Sequence, residues 1–222
     1  MIGNMNMDQI LNLVKLLGTG MGTTLQIFFL TLVFAIPLGI LIALGKNSKN
    51  KIIAGITKLY ILIIRGTPLM LQIIFVYFGP YYLCQITYDR FTAIIIAFVI
   101  NYAAYFAEIF RTGMNSIPKG QQEAALTLGM KKSQTFFSIL LPQIVKRILP
   151  AMSNEVISLT KTTSLAQIIG VTEMFSLAQK QASFQFSILP LCVAGVFYLI
   201  MCGIVTLAFH QAEKKLDYYK IV

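Results

Sequence analysis

Five long apolar runs constrain this chain more than anything else in it. They lie at residues 23–44, 59–83, 91–109, from about 146 or 148 to 171, and 188–209. A helix that crosses a membrane needs roughly 20 mostly apolar residues, because each residue adds about 1.5 Å against a hydrocarbon core of about 30 Å. Lipid offers the backbone no hydrogen-bond partners, so such runs span as helices that satisfy their own N–H and C=O groups. The expected fold class is therefore all-α integral membrane, with five transmembrane helices forming one domain over residues 1–222. Composition agrees: 57% of the residues are hydrophobic and 12% charged, against about a quarter charged in soluble chains.

The net charge of +10 would suggest nucleic acid in a soluble protein, but no basic run alternates with exposed aromatics here. In a membrane protein, Lys and Arg mark cytoplasmic connections. One side of the expected spans receives Lys46, Lys49, Lys51, Lys58, Arg65, Arg111, Lys119, Lys131, Lys132, Lys146, Arg147, Lys214, Lys215 and Lys220, and the other receives Lys15, Arg90 and Lys180. That bias predicts an amino terminus outside and a carboxyl terminus in the cytoplasm. Asp8 and the lack of an early basic cluster argue against a cleaved signal peptide. Cys84, Cys192 and Cys202 stand singly in or beside apolar runs and are expected to be buried, inert thiols. His210 has no second histidine nearby, so no metal site is expected.

Local features punctuate the runs. Gly18, Gly20 and Gly22 suggest an irregular or closely packed start to the first, and Pro37 is a candidate bend. The tetrad Arg65-Gly66-Thr67-Pro68 interrupts the second, and a kink or break is expected there. Glu108 and Arg111 are three apart and can pair on one helix face. Gly113, Pro118 and Gly120 read as a turn. The fourth run is the least apolar, carrying Asn154, Glu155, Ser158, Thr160, Lys161, Thr162, Thr163 and Ser164.

Between the third and fourth runs lies the longest polar interruption, EAALTLGMKKSQTFFSILLP from Glu123 to Pro142. Glu123, Ala124, Ala125, Leu128 and Gly129 place small residues on one turn, with Gly129 ending or bending the helix. On physics alone an amphipathic helix lying in the interface is preferred here over a docking site.

The spacing of this stretch adds a second consideration. EAA, three residues, Gly129, nine residues, then Ile139, one residue, Leu141 and Pro142 resembles the cytoplasmic signature of permease subunits of ATP-binding cassette importers. AAYFAEIFRTGMNSIPKGQQEAALTLGM, RGTP and KTTSLAQIIGV are similar to the polar amino acid branch of that family, with Thr112 standing where the branch often has glycine. The resemblance implies a five-helix permease of the type I importer fold, with a cytoplasmic coupling helix between its third and fourth spans. It implies pairing with itself or a close paralogue in a bacterial inner membrane. It also implies a cytoplasmic ATPase dimer that holds ATP and Mg, and an extracytoplasmic solute-binding protein. Glu123, Ala124, Ala125, Leu128 and Gly129 would contact the ATPase. No cofactor is expected on this chain. Its one glycine-rich candidate, Gly39 to Lys46, has five residues between the glycines and Asn47 after the lysine, where a phosphate loop needs four and Ser or Thr.

A substrate site is expected around Glu155, because an ionisable group within a span is costly and marks function by default. Glu155 lies about 13 Å into the fourth run, and Ser158 and Thr162 share its face. The cluster can accept the ammonium of an amino acid or the cationic side chain of arginine, lysine or histidine. The competing role for Glu155 is an ion pair with Lys161 or Arg111. Thr67, Gln72, Asn101 and Tyr102 are further lining candidates, each of which also suits a packing hydrogen bond. An ion-coupled secondary amino acid transporter using Glu155 as a proton site is the alternative function. An intramembrane enzyme lacks any HExxH, paired aspartates or Ser/His arrangement in the runs.

Overall fold

The computed structural model describes residues 7–216, and among them every regular element is helical. Lys220, counted above on the basic side, lies outside the described residues. The first helix, α1, runs from Met7 to Lys46, about 60 Å at the usual rise. It is nearly twice the thickness of a hydrocarbon core and far longer than the expected 23–44. The glycines at its start are not irregular: the helix passes through all three. Close packing holds at Gly20, where a Cβ would fall 2.8 Å from Met174 Cα. Pro37 also lies within the unbroken helix.

The second run is broken outright. Helices α2 (Lys51–Gly66) and α3 (Leu69–Cys84) meet at 110°. Thr67 between them is extended, and Pro68 caps α3 with no N–H to offer. Counting that bent pair once, up to five segments are long and apolar enough to cross a membrane, and four without it.

Helix α4 (Arg90–Asn115) occupies the centre. Asp89 caps it by accepting from Thr92 N at 2.9 Å, and those bonds hold the Asp89 carboxyl below its ordinary range. Its alanines at 93, 97, 103, 104 and 107 are all buried, which lets α1 lie close along it. The expected turn at Gly113 is absent, because α4 continues to Asn115. A Cβ on Gly113 would fall 2.2 Å from Ile148 Cγ2, so this glycine is kept for close approach of another helix. Pro118 instead caps the short helix α5 (Lys119–Thr127), which contains Gly120.

Gly129, at φ +78°, reverses the chain after α5 in a conformation that glycine adopts without strain. The fourth span then begins well before residue 146. A turn α6 (Lys132–Thr135), a π-helical turn at Phe136–Leu140 and α7 (Leu141–Thr162) follow without interruption. In that wider turn Leu141 N bonds Phe136 O, five residues back, immediately before Pro142. A 3₁₀ segment, Thr163–Ile169, ends at Gly170 in the left-handed region.

Helix α8 (Met174–Gln185) was not anticipated. Its cap, Glu173, is fully buried, accepting from Phe175 N and Ser176 N at 2.7 Å each and from Tyr198 Oη at 3.2 Å. Met174 and Ala178 pack with Leu13 and Leu17, covering the part of α1 beyond the expected span. Helix α9 (Leu189–Leu216) completes the fold against α7 and α8. The cysteines are not buried within the chain: Cys84 and Cys192 are exposed and Cys202 partly so.

Candidate functional site

Facing surfaces of α4 and α7 form an open cavity of about 420 Å³. Tyr105, Glu108, Ile109, Thr112, Gly113 and Ser116 line it from α4, and Arg147, Ile148, Ala151, Asn154 and Glu155 from α7. These positions recur at three- and four-residue intervals, the spacing of one helix face. Arg65 reaches in from the end of α2, with its guanidinium carbon 5.2 Å from the Tyr105 ring centroid.

The charges of this lining divide into neutralised and unneutralised groups. Glu108 takes two cations, Lys46 from α1 at 2.7 Å and Arg111 one turn along α4, with Arg111 Nε at 3.1 Å. Glu108 and Arg111 therefore pair as their spacing predicts, and Lys46 adds a tie to α1. Arg147 donates to Ser116 O, while its buried Nε has no partner. Glu155 is half-buried in the lining and makes no ion pair with Lys161 or Arg111.

The other substrate-site candidates fall into two groups away from this cavity. Tyr102 is bonded to Thr162 Oγ1, which in turn donates to Ser158 O at 2.6 Å, so Tyr102, Ser158 and Thr162 tie α4 to α7 on the side of Glu155 farther from Arg147. Thr67, Gln72 and Asn101 hold the break between α2 and α3. Gln72 Nε2 donates to Ile64 O at 2.8 Å and to Thr67 Oγ1 at 2.9 Å, and Asn101 Nδ2 donates to Gln72 Oε1 at 2.9 Å. Thr67 and Gln72 border a separate apolar cavity of about 380 Å³, together with Ile63, Leu71, Phe75 and Ala97. Arg65, Tyr105, Asn154 and Arg147 join Glu155 instead, and none of them is among the expected site residues. A signal existed for Arg65, an ionisable residue inside an apolar run.

Of the residues expected to meet an ATPase, Glu123, Ala124, Leu128 and Gly129 are exposed and Ala125 is buried. Leu128 is 81% exposed, a large apolar side chain projecting from a short polar helix. Gln143 Nε2 of α7 donates to Gln121 Oε1 of α5 at 2.7 Å, fastening this helix to the cavity wall.

Residues 35–217 match the family described as the binding-protein-dependent transport system inner membrane component. An arginine transport system permease protein of Bacillus subtilis (strain 168) is 37% identical over 89% of this chain and 90% of its own length. An L-cystine transport system permease protein of the same organism is 37% identical over 92% of this chain and 88% of its own. Among solved structures, an amino acid ABC transporter with histidines aligns at a TM-score of 0.86 and 30% identity, covering 96% of this chain and 99% of that one.

Proposed function

The chain belongs to the family of binding-protein-dependent transport system inner membrane components, and on that premise we propose that it is the permease subunit of an ATP-driven importer of polar, above all basic, amino acids. The observation that carries the substrate class is Glu155, a carboxylate without an ion pair on a cavity between two apolar helices. Arginine and cystine permeases resemble the chain to the same degree, so the preference for basic amino acids rests on that carboxylate.

In this reading residues 1–222 form one permease domain with five spans, the amino terminus outside and the carboxyl terminus in the cytoplasm. Two permeases, identical or paralogous, pair in the membrane. The exposed face of α5, with Glu123, Ala124, Leu128 and Gly129, sits in a cleft of a cytoplasmic ATPase subunit, and Ala125 anchors the helix from beneath. ATP and Mg belong to that ATPase dimer, and this chain catalyses nothing. Closure of the ATPases swings the permeases between inward-open and outward-open states, a rigid-body form of alternating access. A solute-binding protein delivers the amino acid from outside.

The test is reconstitution of the permease with its ATPase and binding protein in proteoliposomes. Uptake of L-arginine is expected to require ATP and all components, and Glu155→Gln to reduce it while the ATPase still co-purifies. Undiminished uptake by Glu155→Gln overturns the substrate role. Uptake by the permease alone, abolished by an ionophore, overturns ATP coupling in favour of an ion-coupled transporter.

A further inference from the structure

Two charges of opposite sign face the same cavity without touching each other in an ion pair. Arg65 and Glu155 both line it, and neither makes an ion pair, since the ion pairs among the described residues both belong to Glu108. The only other acid in the lining is thus already saturated by Lys46 and Arg111. Tyr105, whose ring lies under the Arg65 guanidinium, is about 22 Å along a helix of about 39 Å, so Arg65 sits within the span rather than at its edge. An unpaired guanidinium at such a depth is expensive. Stacking on Tyr105 orients the planar group while leaving its N–H fork available, and that fork matches a carboxylate in two parallel bonds.

We propose that Arg65 receives the α-carboxylate of the transported amino acid while Glu155 takes a cationic group of the same molecule. The cavity then recognises a zwitterion and discriminates against the same amino acid with its carboxylate amidated. Arg147, the other cation of the lining, is a poorer anchor. It is engaged with Ser116 O and lies about 12 Å of helix from Glu155. Asn154, beside Glu155 in the lining, supplies a neutral donor and acceptor that suit either end of the ligand. This assignment rests on the proposed import of amino acids, and it adds the group that sets the carboxylate requirement.

The experiment uses the purified permease–ATPase complex without binding protein, so that selection by the binding protein does not mask selection by the permease. Equilibrium dialysis at millimolar ligand compares L-arginine and L-glutamine with their α-amides. The wild-type complex is expected to prefer the free amino acid at least tenfold, the scale of a hydrogen bond to a charged group. Arg65→Gln is expected to remove that preference by weakening only the free acid. Unchanged binding of the amides shows that the variant is folded, and Arg65→Lys should restore part of the preference. Equal weakening of acid and amide by Arg65→Gln, or no preference in the wild type, overturns the assignment alone. A wild-type complex that binds none of the four ligands overturns the amino acid reading together with it.

Discussion

Gln72 offers the sharpest test of how this chain tolerates a break at membrane depth. Pro68 stands four residues after Ile64 and has no N–H to give the Ile64 carbonyl, so the last turn of α2 ends with an orphaned acceptor. Gln72 Nε2 replaces that donor at 2.8 Å and also reaches Thr67 Oγ1 at 2.9 Å, while its Oε1 accepts from buried Asn101 at 2.9 Å. Gln72→Leu keeps much of the volume and strips all of these bonds, leaving the Ile64 carbonyl and the Asn101 amide without partners. An unsatisfied buried polar group costs roughly 1–3 kcal/mol. Hydrogen bonds between membrane helices measure nearer 0.6 kcal/mol on average, because the unfolded chain in lipid also finds partners. Weighing the two groups on the lower scale, we expect a loss of about 1.2 kcal/mol. The assay is unfolding by dodecyl sulfate in maltoside micelles, followed by helical circular dichroism. A double-mutant cycle with Asn101→Ala should return a coupling of about 0.6–1.7 kcal/mol. Additive losses in the cycle, or a Gln72→Leu cost below about 0.5 kcal/mol, would refute the claim that this side chain closes the broken backbone.

Gly129 and Gly113 make distinct demands. Gly129→Asp places a charged side chain at φ +78° on the exposed turn after α5; we expect normal accumulation in the membrane with loss of uptake and of transport-coupled ATP hydrolysis, and normal values for both would refute the coupling role. Gly113→Ala drives a Cβ to within 2.2 Å of Ile148 Cγ2, and overpacking of that kind costs about 1–3 kcal/mol. In the same unfolding assay Ile148→Ala should recover part of the Gly113→Ala loss, and no recovery would mean that α4 and α7 do not meet there.

Hydrophobic length found the apolar runs but not their ends, since α1 begins 16 residues before the expected 23 and the fourth span begins at Lys132; the break at Pro68 was legible, because proline acts on its own neighbours. What the sequence concealed depends on partners distant in the chain. Gly113 has the look of a turn residue, yet it meets Ile148, 35 positions on; only the crossing of α4 and α7 turns it into a packing residue. Helix α8 carries too few apolar residues to announce itself, and of the two surfaces it packs on, the first turns of α9 and the projecting start of α1, the second is far away in the chain. Arg65 was counted as a cytoplasmic charge although it lies inside an apolar run, because its place over Tyr105 is set by a contact 40 positions on. Ser158 and Thr162 do share a helix face with Glu155, but Tyr102 engages that pair, and periodicity along one helix does not reveal which neighbour claims its polar groups.

The way α5 is fastened gives the proposed coupling a physical route. Gln143 joins α5 to the first turn of α7, and one turn later Arg147 joins α7 to Ser116 at the end of α4, three residues before α5 begins. The chain thus forms a closed loop of two helix ends and two side-chain ties, with the cavity directly beyond it. Ile148 seated against Gly113 is the next contact inward, and it leaves no slack for the helices to slide past each other. In the proposed transporter a push on α5 would therefore tilt the ends of α4 and α7 together, and their faces carry Glu108, Asn154 and Glu155. The π-helical turn at Phe136–Leu140 is the one stretch of this route with relaxed hydrogen-bond register. It lies between the exposed turn at Gly129 and the tie at Gln143, so the Gln121–Gln143 bond, which bypasses it, is the more direct path from α5 to α7.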